Sequence, residues 1–365
     1  MSQHPTSQYT PSQLSAIERS QSLEEAIADR PSSFRILTGD RPTGPLHIGH
    51  YFGTLTNRVR LQNLGVELIV LIADYQVLTD RDASGQLSET VRGLVADYLA
   101  VGIDPTRSLI FAHSAVPQLN ELVLPFLSLV SDTELHRNPT VKAETEATGR
   151  GPSGLMLTYP VHQAADILFC HANLVPVGLD QLPHLEMTRV VARRFNERYG
   201  QLFAEPDALL TTTPLLLGAD GQKMSKTRDN GITLAAAEDE TAAIIRRVPT
   251  DSERHITYEP DRRPQVANLL DLLATAIGED HSAVAERIGA GGASQLKREL
   301  TDALNDVLRP IRQRRRAAAA NPGDLDRILN DGNARAREIA ADTLRQVHRA
   351  LGMTYSDQSQ DSLTV

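Results

Sequence analysis

Residues 38–55, TGDRPTGPLHIGHYFGTL, follow directly on the apolar run FRILT and bring together four glycines, two prolines and two histidines. Residues 34–38 read as a buried strand. The segment YFGTLTNRVRLQNLG then carries Tyr51, Phe52, Leu55, Val59 and Leu61 at near-helical spacing before Gly65 ends it. ELIVLIAD follows as a fully apolar strand. Strand, helix and strand in that order make a βαβ unit, which implies a parallel sheet and a right-handed crossover. The pattern repeats in the helical SETVRGLVADYLAVGI and the strand SLIFAH. Such a sheet receives ligands beyond the carboxyl ends of its strands, and the quoted turn lies at one of those ends. Gly39, Gly44 and Gly49 let backbone come close to a ligand, and a helix beginning near Gly49 offers N–H groups to an anion. His47 and His50, three residues apart, can face the same ligand as donors to phosphate oxygens. A His-Ile-Gly-His string alone suits two core or surface histidines equally well; its place between a buried strand and a helix is what a phosphate-binding turn requires.

Outward from this turn, the 365-residue chain is long enough for two domains, or one domain with a large appendage. Hydrophobic residues at 41% and charged residues at 23% fit a soluble globular protein and exclude a wholly disordered one. No run approaches the roughly 18 apolar residues of a membrane span. Residues 1–33 lack the basic start and apolar centre of a secretory signal, and their Ser, Gln and Pro content predicts a poorly ordered extension. A cytoplasmic location is therefore expected. The single cysteine, Cys170, sits in the apolar ADILFC and reads as a buried, inert thiol. A net charge of −9 argues against coating nucleic acid indiscriminately, yet Arg309, Arg312, Arg314, Arg315 and Arg316 concentrate basic charge locally.

The alternation is interrupted over residues 114–160 by a helical insertion ending in the polar KAETEATGRGPSG, and resumes from YPVHQAADILFC to VVARRFNERYG. After GADGQKMSKTRDN the chain turns mostly helical, and Leu325, Ile328, Leu329, Ala336, Ile339, Ala340, Leu344, Val347 and Leu351 form one apolar stripe that reads as a bundle core. The expected organisation is an extension (1–33), an α/β catalytic domain with a parallel sheet (34–230), an α-helical domain (231–355) and a tail (356–365). GADGQKMSKTRDN itself is a glycine-bounded loop presenting Lys223 and Lys226 with Ser225 and Thr227 between them. Two ammonium groups on such a loop can follow charge that moves between phosphates during a reaction.

His47-Ile48-Gly49-His50 and Lys223-Met224-Ser225-Lys226-Thr227, in that order, resemble the HIGH and KMSKS signatures of class I aminoacyl-tRNA synthetases. GDRPTGPLHIGHY, YPVHQAADIL, LVPVGLDQLPHLEMTR, VPTDSE and LRPIRQRR are further similar to the tryptophanyl-tRNA synthetase family, over roughly residues 34–353, in a divergent bacterial-type branch. The resemblance implies a Rossmann-type catalytic domain, a C-terminal α-helical domain that meets the anticodon, and a homodimer. It implies ATP with Mg²⁺, L-tryptophan and tRNA(Trp) as substrates, no metal held by the protein, and a tryptophanyl-adenylate intermediate. His47, His50, Lys223 and Lys226 become the catalytic set. ATP falls to Arg41, Pro42, Thr43, Gly49, Gly178, Leu179, Asp180, Leu215, Met224, Ser225 and Thr227 beside them. The amino acid falls to Asp166, as acceptor of the indole N–H, with Tyr159, Gln181, Gln163, Leu37, Gln76 and Val177. An amino acid carboxylate needs no general base to attack the α-phosphate, so catalysis reduces to alignment and to stabilising phosphate charge. Asp166 lies between apolar residues, where an unpaired carboxylate is costly.

Two positions depart from the commonest family pattern: Gln163 stands where a methionine usually packs on the indole, and Gln76 where histidine is frequent. The tyrosine-specific sister family also tends to carry a glutamine like Gln163, whereas Leu37 stands where that family places a tyrosine. Tyrosine specificity, a nucleotidyltransferase with a similar histidine-rich turn, and a synthetase-like binding or regulatory protein are the other readings. On a helix, Arg309, Arg312 and Arg316 share one face, which predicts a positive stripe for the tRNA backbone.

Overall fold

The structure, a computed structural model, describes residues 10–79, 87–139, 141–142, 151–178, 182–210, 216–218, 221–222, 224 and 230–355. Among the described residues, strands β1 (Arg35–Asp40), β2 (Glu67–Ile72), β3 (Ser108–Ala112), β4 (Leu174–Val177) and β5 (Asp207–Leu210) form one sheet in the order β3-β2-β1-β4-β5. Ile36 stands opposite Leu174, and Leu174 to Val177 run parallel to Asp207 to Leu210. Strand order reverses between β1 and β4, the switch point where sheets of this kind bind ligands. The helices in chain order are α1 (Pro11–Asp29), α2 (Ile48–His50), α3 (Thr56–Leu64), α4 (Leu87–Val101), α5 (Pro117–Leu127), α6 (Asp132–Arg137), α7 (Gly154–Leu168) and α8 (Leu182–Tyr199). They continue with α9 (Glu238–Arg247), α10 (Pro264–Ile277), α11 (His281–Ile288), α12 (Gly292–Ala319) and α13 (Pro322–Ala350).

The described parts of the chain form two compact units: residues 1–38, 111–210 and 331–365 in one, residues 39–110 and 211–330 in the other. They are interleaved in sequence. In the first unit, residues 11–29 are helical and not poorly ordered. Thr10 Oγ1 accepts the Gln13 N–H while Gln13 Oε1 accepts the Thr10 N–H, a capping box with Pro11 in the first turn. Helix α1 packs on β5: Arg19 places Nε and Nη2 3.2 and 2.8 Å from the Asp207 carboxylate, and Ser20 Oγ accepts the Leu210 N–H at 2.9 Å. Phe126 meets Phe195 and Phe203 edge-on under α5 and α8. The second half of α13 belongs to this unit, where Asn333 Oδ1 accepts the Ala112 N–H (2.9 Å) and Thr343 donates to the Phe169 carbonyl (2.6 Å). Of its apolar stripe, Leu325, Ile328 and Leu329 fall in the second unit and the residues from Ala336 on in the first.

In the second unit α12 buries Leu296, Leu300, Leu304 and Leu308, one every four residues, and packs on α4, α9 and α10. The basic run does not form the expected positive stripe. Arg312 is 3% exposed and donates to Thr241 Oγ1 (2.8 Å) and Asn305 Oδ1 (3.0 Å). Arg314 donates to the Ala100 carbonyl (2.6 Å), Arg315 bonds Asp97, and Arg309 pairs with Glu238 and Asp306. Among the described residues no helix is long and apolar enough to cross a membrane.

Candidate active site

The first signature belongs to the second unit. Strand β1 ends at Gly39 and Asp40, and Gly39 is required there because a Cβ would lie 2.5 Å from the Leu71 carbonyl oxygen. The Asp40 carboxylate takes Arg58 Nη1 at 2.6 Å and the Tyr98 hydroxyl at 2.8 Å, and its carbonyl accepts the Ala73 N–H. Burial, with Asp40 alongside, pushes the Tyr98 phenol well above its ordinary range. The chain therefore leaves the strand from a fixed point. Arg41 is exposed, Pro42 is buried, and Thr43 turns back to the Arg41 carbonyl.

On the far side of the turn, Leu46 donates its N–H to Asp97 Oδ2 (3.1 Å) and accepts the Leu234 N–H (2.9 Å), while Ile48 donates to the Ile232 carbonyl (2.9 Å). His47 consequently lies on an antiparallel bridge to Thr233. This pairing leaves fewer helix N–H groups for an anion than the sequence predicts, since His50 and Tyr51 also donate to the His47 carbonyl. His50 Nδ1 accepts the His47 N–H at 3.3 Å, and the two rings lie 3.8 Å apart. With Nδ1 an acceptor, the proton of a neutral imidazole resides on Nε2. Beyond α2 a π-helical turn, Tyr51–Leu55, leads into α3.

Of the second signature Met224 is described; Lys223, Ser225, Lys226 and Thr227, with Leu215, lie outside the described residues. The base of its loop is held by the Asn268 amide of α10, which accepts the Leu217 N–H (2.9 Å) and donates to the Leu217 carbonyl (3.1 Å). Gly218 donates to the Gln222 carbonyl at 2.8 Å, and Gly221 takes φ +75° to close the turn. The two signatures pack on each other. A Cβ on Gly49 would lie 3.2 Å from Met224 Sδ and 3.0 Å from the His47 ring, and one on Gly231 would lie 3.1 Å from His47 Cγ. The pairing of the Gly231–Leu234 segment with residues 46–48 was missed by sequence reading, because it leaves no local pattern.

The residues expected around the amino acid are carried mostly by the first unit. Helix α7 opens on Ser153, whose hydroxyl accepts the Met156 N–H, and its spacing sets Tyr159, Gln163 and Asp166 on one face. Asp166 is 1% exposed and has Oδ1 3.3 Å from Nδ1 of His113, itself buried and directly after β3. Burial and the nearby His113 charge lower the pKa of His162 on the same helix. Gln163 Oε1 is buried with no hydrogen-bond partner among the described residues. Tyr159 meets the ring of His184 edge-on at 5.7 Å. Leu37 is buried in β1, Val177 ends β4 and Gly178 follows it; Leu179, Asp180 and Gln181 lie outside the described residues. Gln76, in the second unit, is half-buried in the turn after β2. His113 was not singled out from the sequence; its place right after SLIFA, at the carboxyl end of a strand, was the available signal.

The family model for class I tRNA synthetases (W and Y) matches residues 30–309, and the chain belongs to that family. A tryptophan–tRNA ligase of Treponema pallidum is 44% identical over 331 residues, covering 88% of this chain and 97% of that protein. Its counterpart in Streptococcus agalactiae is 42% identical over 337 residues, covering 88% and 98%. The tryptophanyl-tRNA synthetase of Campylobacter jejuni, solved with ADP and tryptophan, superposes with a TM-score of 0.75 at 29% identity, over 87% of this chain and 100% of that one. The parallel sheet with a C-terminal helical region is the fold expected from the sequence.

Proposed function

We infer that the chain attaches L-tryptophan to tRNA(Trp) in two steps, ATP and tryptophan giving tryptophanyl-adenylate and pyrophosphate before transfer to the tRNA 3′ end. The observation that carries this reading is the packing of Met224 and Gly231 on Gly49 and His47, which ties the two signatures into one unit. In the first step the tryptophan carboxylate attacks the α-phosphate and pyrophosphate leaves. His50, with its proton on Nε2, and His47 donate to phosphate oxygens, and Lys223 and Lys226 neutralise the charge that grows on the leaving group. Mg²⁺ enters as part of the ATP substrate. Arg41, Pro42, Thr43, Gly178, Leu179, Asp180, Leu215, Ser225 and Thr227 complete the ATP contacts.

Asp166 accepts the indole N–H, and its burial supports that role: a site built to bond an N–H rejects an analogue lacking it by roughly 10⁴ to 10⁵. Tyr159, Gln181, Gln163, Leu37, Gln76 and Val177 complete the amino acid contacts. The helical region over residues 231–355 meets the anticodon arm, the protein acts as a homodimer, and it works in the cytoplasm. ATP–pyrophosphate exchange with each of the twenty amino acids tests the reading. Exchange with tryptophan alone is expected; exchange with tyrosine overturns the choice of amino acid, and exchange with none overturns the activity. Asp166→Ala is expected to abolish discrimination against tyrosine and phenylalanine while ATP binding persists. Unchanged discrimination removes Asp166 from that role.

A further inference from the structure

We propose that Asp97 and Arg315 are positioning residues for adenylate formation, the Asp97 carboxylate fixing the backbone one residue ahead of His47 and Arg315 of the helical region fixing that carboxylate. Asp97, on α4, is 1% exposed. Its Oδ2 accepts the Leu46 N–H at 3.1 Å, and its Oδ1 accepts from Arg315 Nε at 2.5 Å. A buried carboxylate needs charge as well as hydrogen bonds to remain ionised, and the guanidinium supplies it. Arg314, the preceding residue of α12, donates to the Ala100 carbonyl at 2.6 Å, three residues along α4 from Asp97. Two successive arginines thereby set α12 against α4 and settle where the carboxylate stands.

From Asp97 the constraint passes to the signature turn in one covalent step. The carbonyl of Leu46 is held by the Leu234 N–H and its own N–H by Asp97, so among the described residues the carboxylate helps fix the residue before His47. The His47 ring is 5% exposed and wedged between Gly49 and Gly231, so a displaced Leu46 shifts the ring instead of being absorbed by slack. This assigns Arg315 a role in a reaction it does not touch, in place of the tRNA contact that a basic run invites.

The inference rests on His47 and His50 contacting phosphate, so the experiment carries an arm for each. Steady-state ATP–pyrophosphate exchange, run without tRNA on the full chain, compares the wild type with Arg315→Gln, Arg315→Lys, Asp97→Asn, the Asp97→Asn/Arg315→Gln double variant and His47→Ala; thermal unfolding is measured for each. Arg315→Gln is expected to lower kcat about 10-fold, a displacement well under 1 Å at the reacting groups, with the tryptophan KM within about twofold. Arg315→Lys recovers most of that loss, and the double variant is no slower than Asp97→Asn alone, since both act through one carboxylate. A lowered unfolding temperature with kcat intact makes the pair merely structural and overturns the proposal. So does a Lys variant as impaired as the Gln variant, or normal exchange in Arg315→Gln. Should Asp97→Asn not fold, the two Arg315 variants decide alone. If His47→Ala leaves kcat unchanged, the phosphate role of that histidine falls; if it lowers kcat while Arg315→Gln does not, the positioning role alone falls.

Discussion

Replacing Gly231 with alanine puts a methyl group 3.1 Å from Cγ, 3.3 Å from Cβ and 3.4 Å from Cδ2 of His47. Carbon atoms in ordinary contact stay about 3.5–4.0 Å apart, so the imidazole must yield by roughly 0.4 to 0.9 Å. It has little room to do so, because the ring also lies against Gly49, where a Cβ would be 3.0 Å from Cε1 and Nδ1. A misplacement of about 1 Å can cost about 10²-fold in rate, so half of that predicts a fall of about 10-fold in kcat, near 1.4 kcal/mol. Overpacking itself adds about 1–3 kcal/mol of destabilisation. Pyrophosphate exchange at saturating ATP and tryptophan reads the first effect, and urea unfolding reads the second. Wild-type kcat together with wild-type stability would show that the ring has space and refute the wedge. Lost stability with full kcat would leave the packing intact but remove His47 from the rate-bearing contacts.

Gly39→Ala drives its methyl to within 2.5 Å of the Leu71 carbonyl, a backbone atom that cannot rotate away, and is expected to destabilise the fold by about 3 kcal/mol in urea unfolding; an unchanged midpoint counts against so close a strand approach. Arg312→Ala should destabilise by about 1–2 kcal/mol through loss of the Thr241 and Asn305 bonds, with no change in the salt dependence of tRNA charging. A flattened salt slope would return that arginine to the tRNA surface. Glu134 has its pKa lowered to about 2 by the Arg194 fork and the Ser131 bonds. A carboxylate pKa depressed on folding contributes stability that is full above its ordinary 4.5 and is lost as pH falls toward 2. Glu134→Gln should therefore be less stable at pH 7 by under about 1 kcal/mol, because the pair is partly solvated, and should match the wild type at pH 2. A gap that widens with acid contradicts this.

Strand, turn and helix around residues 35–64 were legible because a purely apolar run, glycines at a turn and a helical repeat sit next to one another in the chain. The same locality explains why Met224 and the loop around it could be recognised as a motif. It also explains why the pairing of Leu46 and Ile48 with Ile232 and Leu234 could not be, since neither segment carries a sign of its partner. Helix α1 was hidden by its polar composition, although Thr10-Pro11-Ser12-Gln13 is a helix-start pattern that composition alone does not weigh. The arginine run misled for a different reason. Spacing shows which residues share a face and says nothing about what that face meets. Leu300, Leu304 and Leu308, each four residues on, already pointed position 312 into the seam. His113 carries no motif, and only the fold brings it to Asp166.

Helix α1 has a practical consequence at the far end of the sheet. Strand β5 is terminal, and a terminal strand with open N–H groups is a template for further strands and thus for aggregation. Ser20 occupies the Leu210 N–H, while the Arg19 fork and the buried Leu23 and Ile27 hold the helix to the unit that contains β5. Trimming the amino terminus as dispensable, to shorten an expression clone or attach a tag at residue 34, would strip this shield from β5. A cut or fusion point before Thr10 would keep the helix and its cap whole. Loss of solubility on trimming would then reflect an uncovered β edge, with the signature turns themselves unchanged.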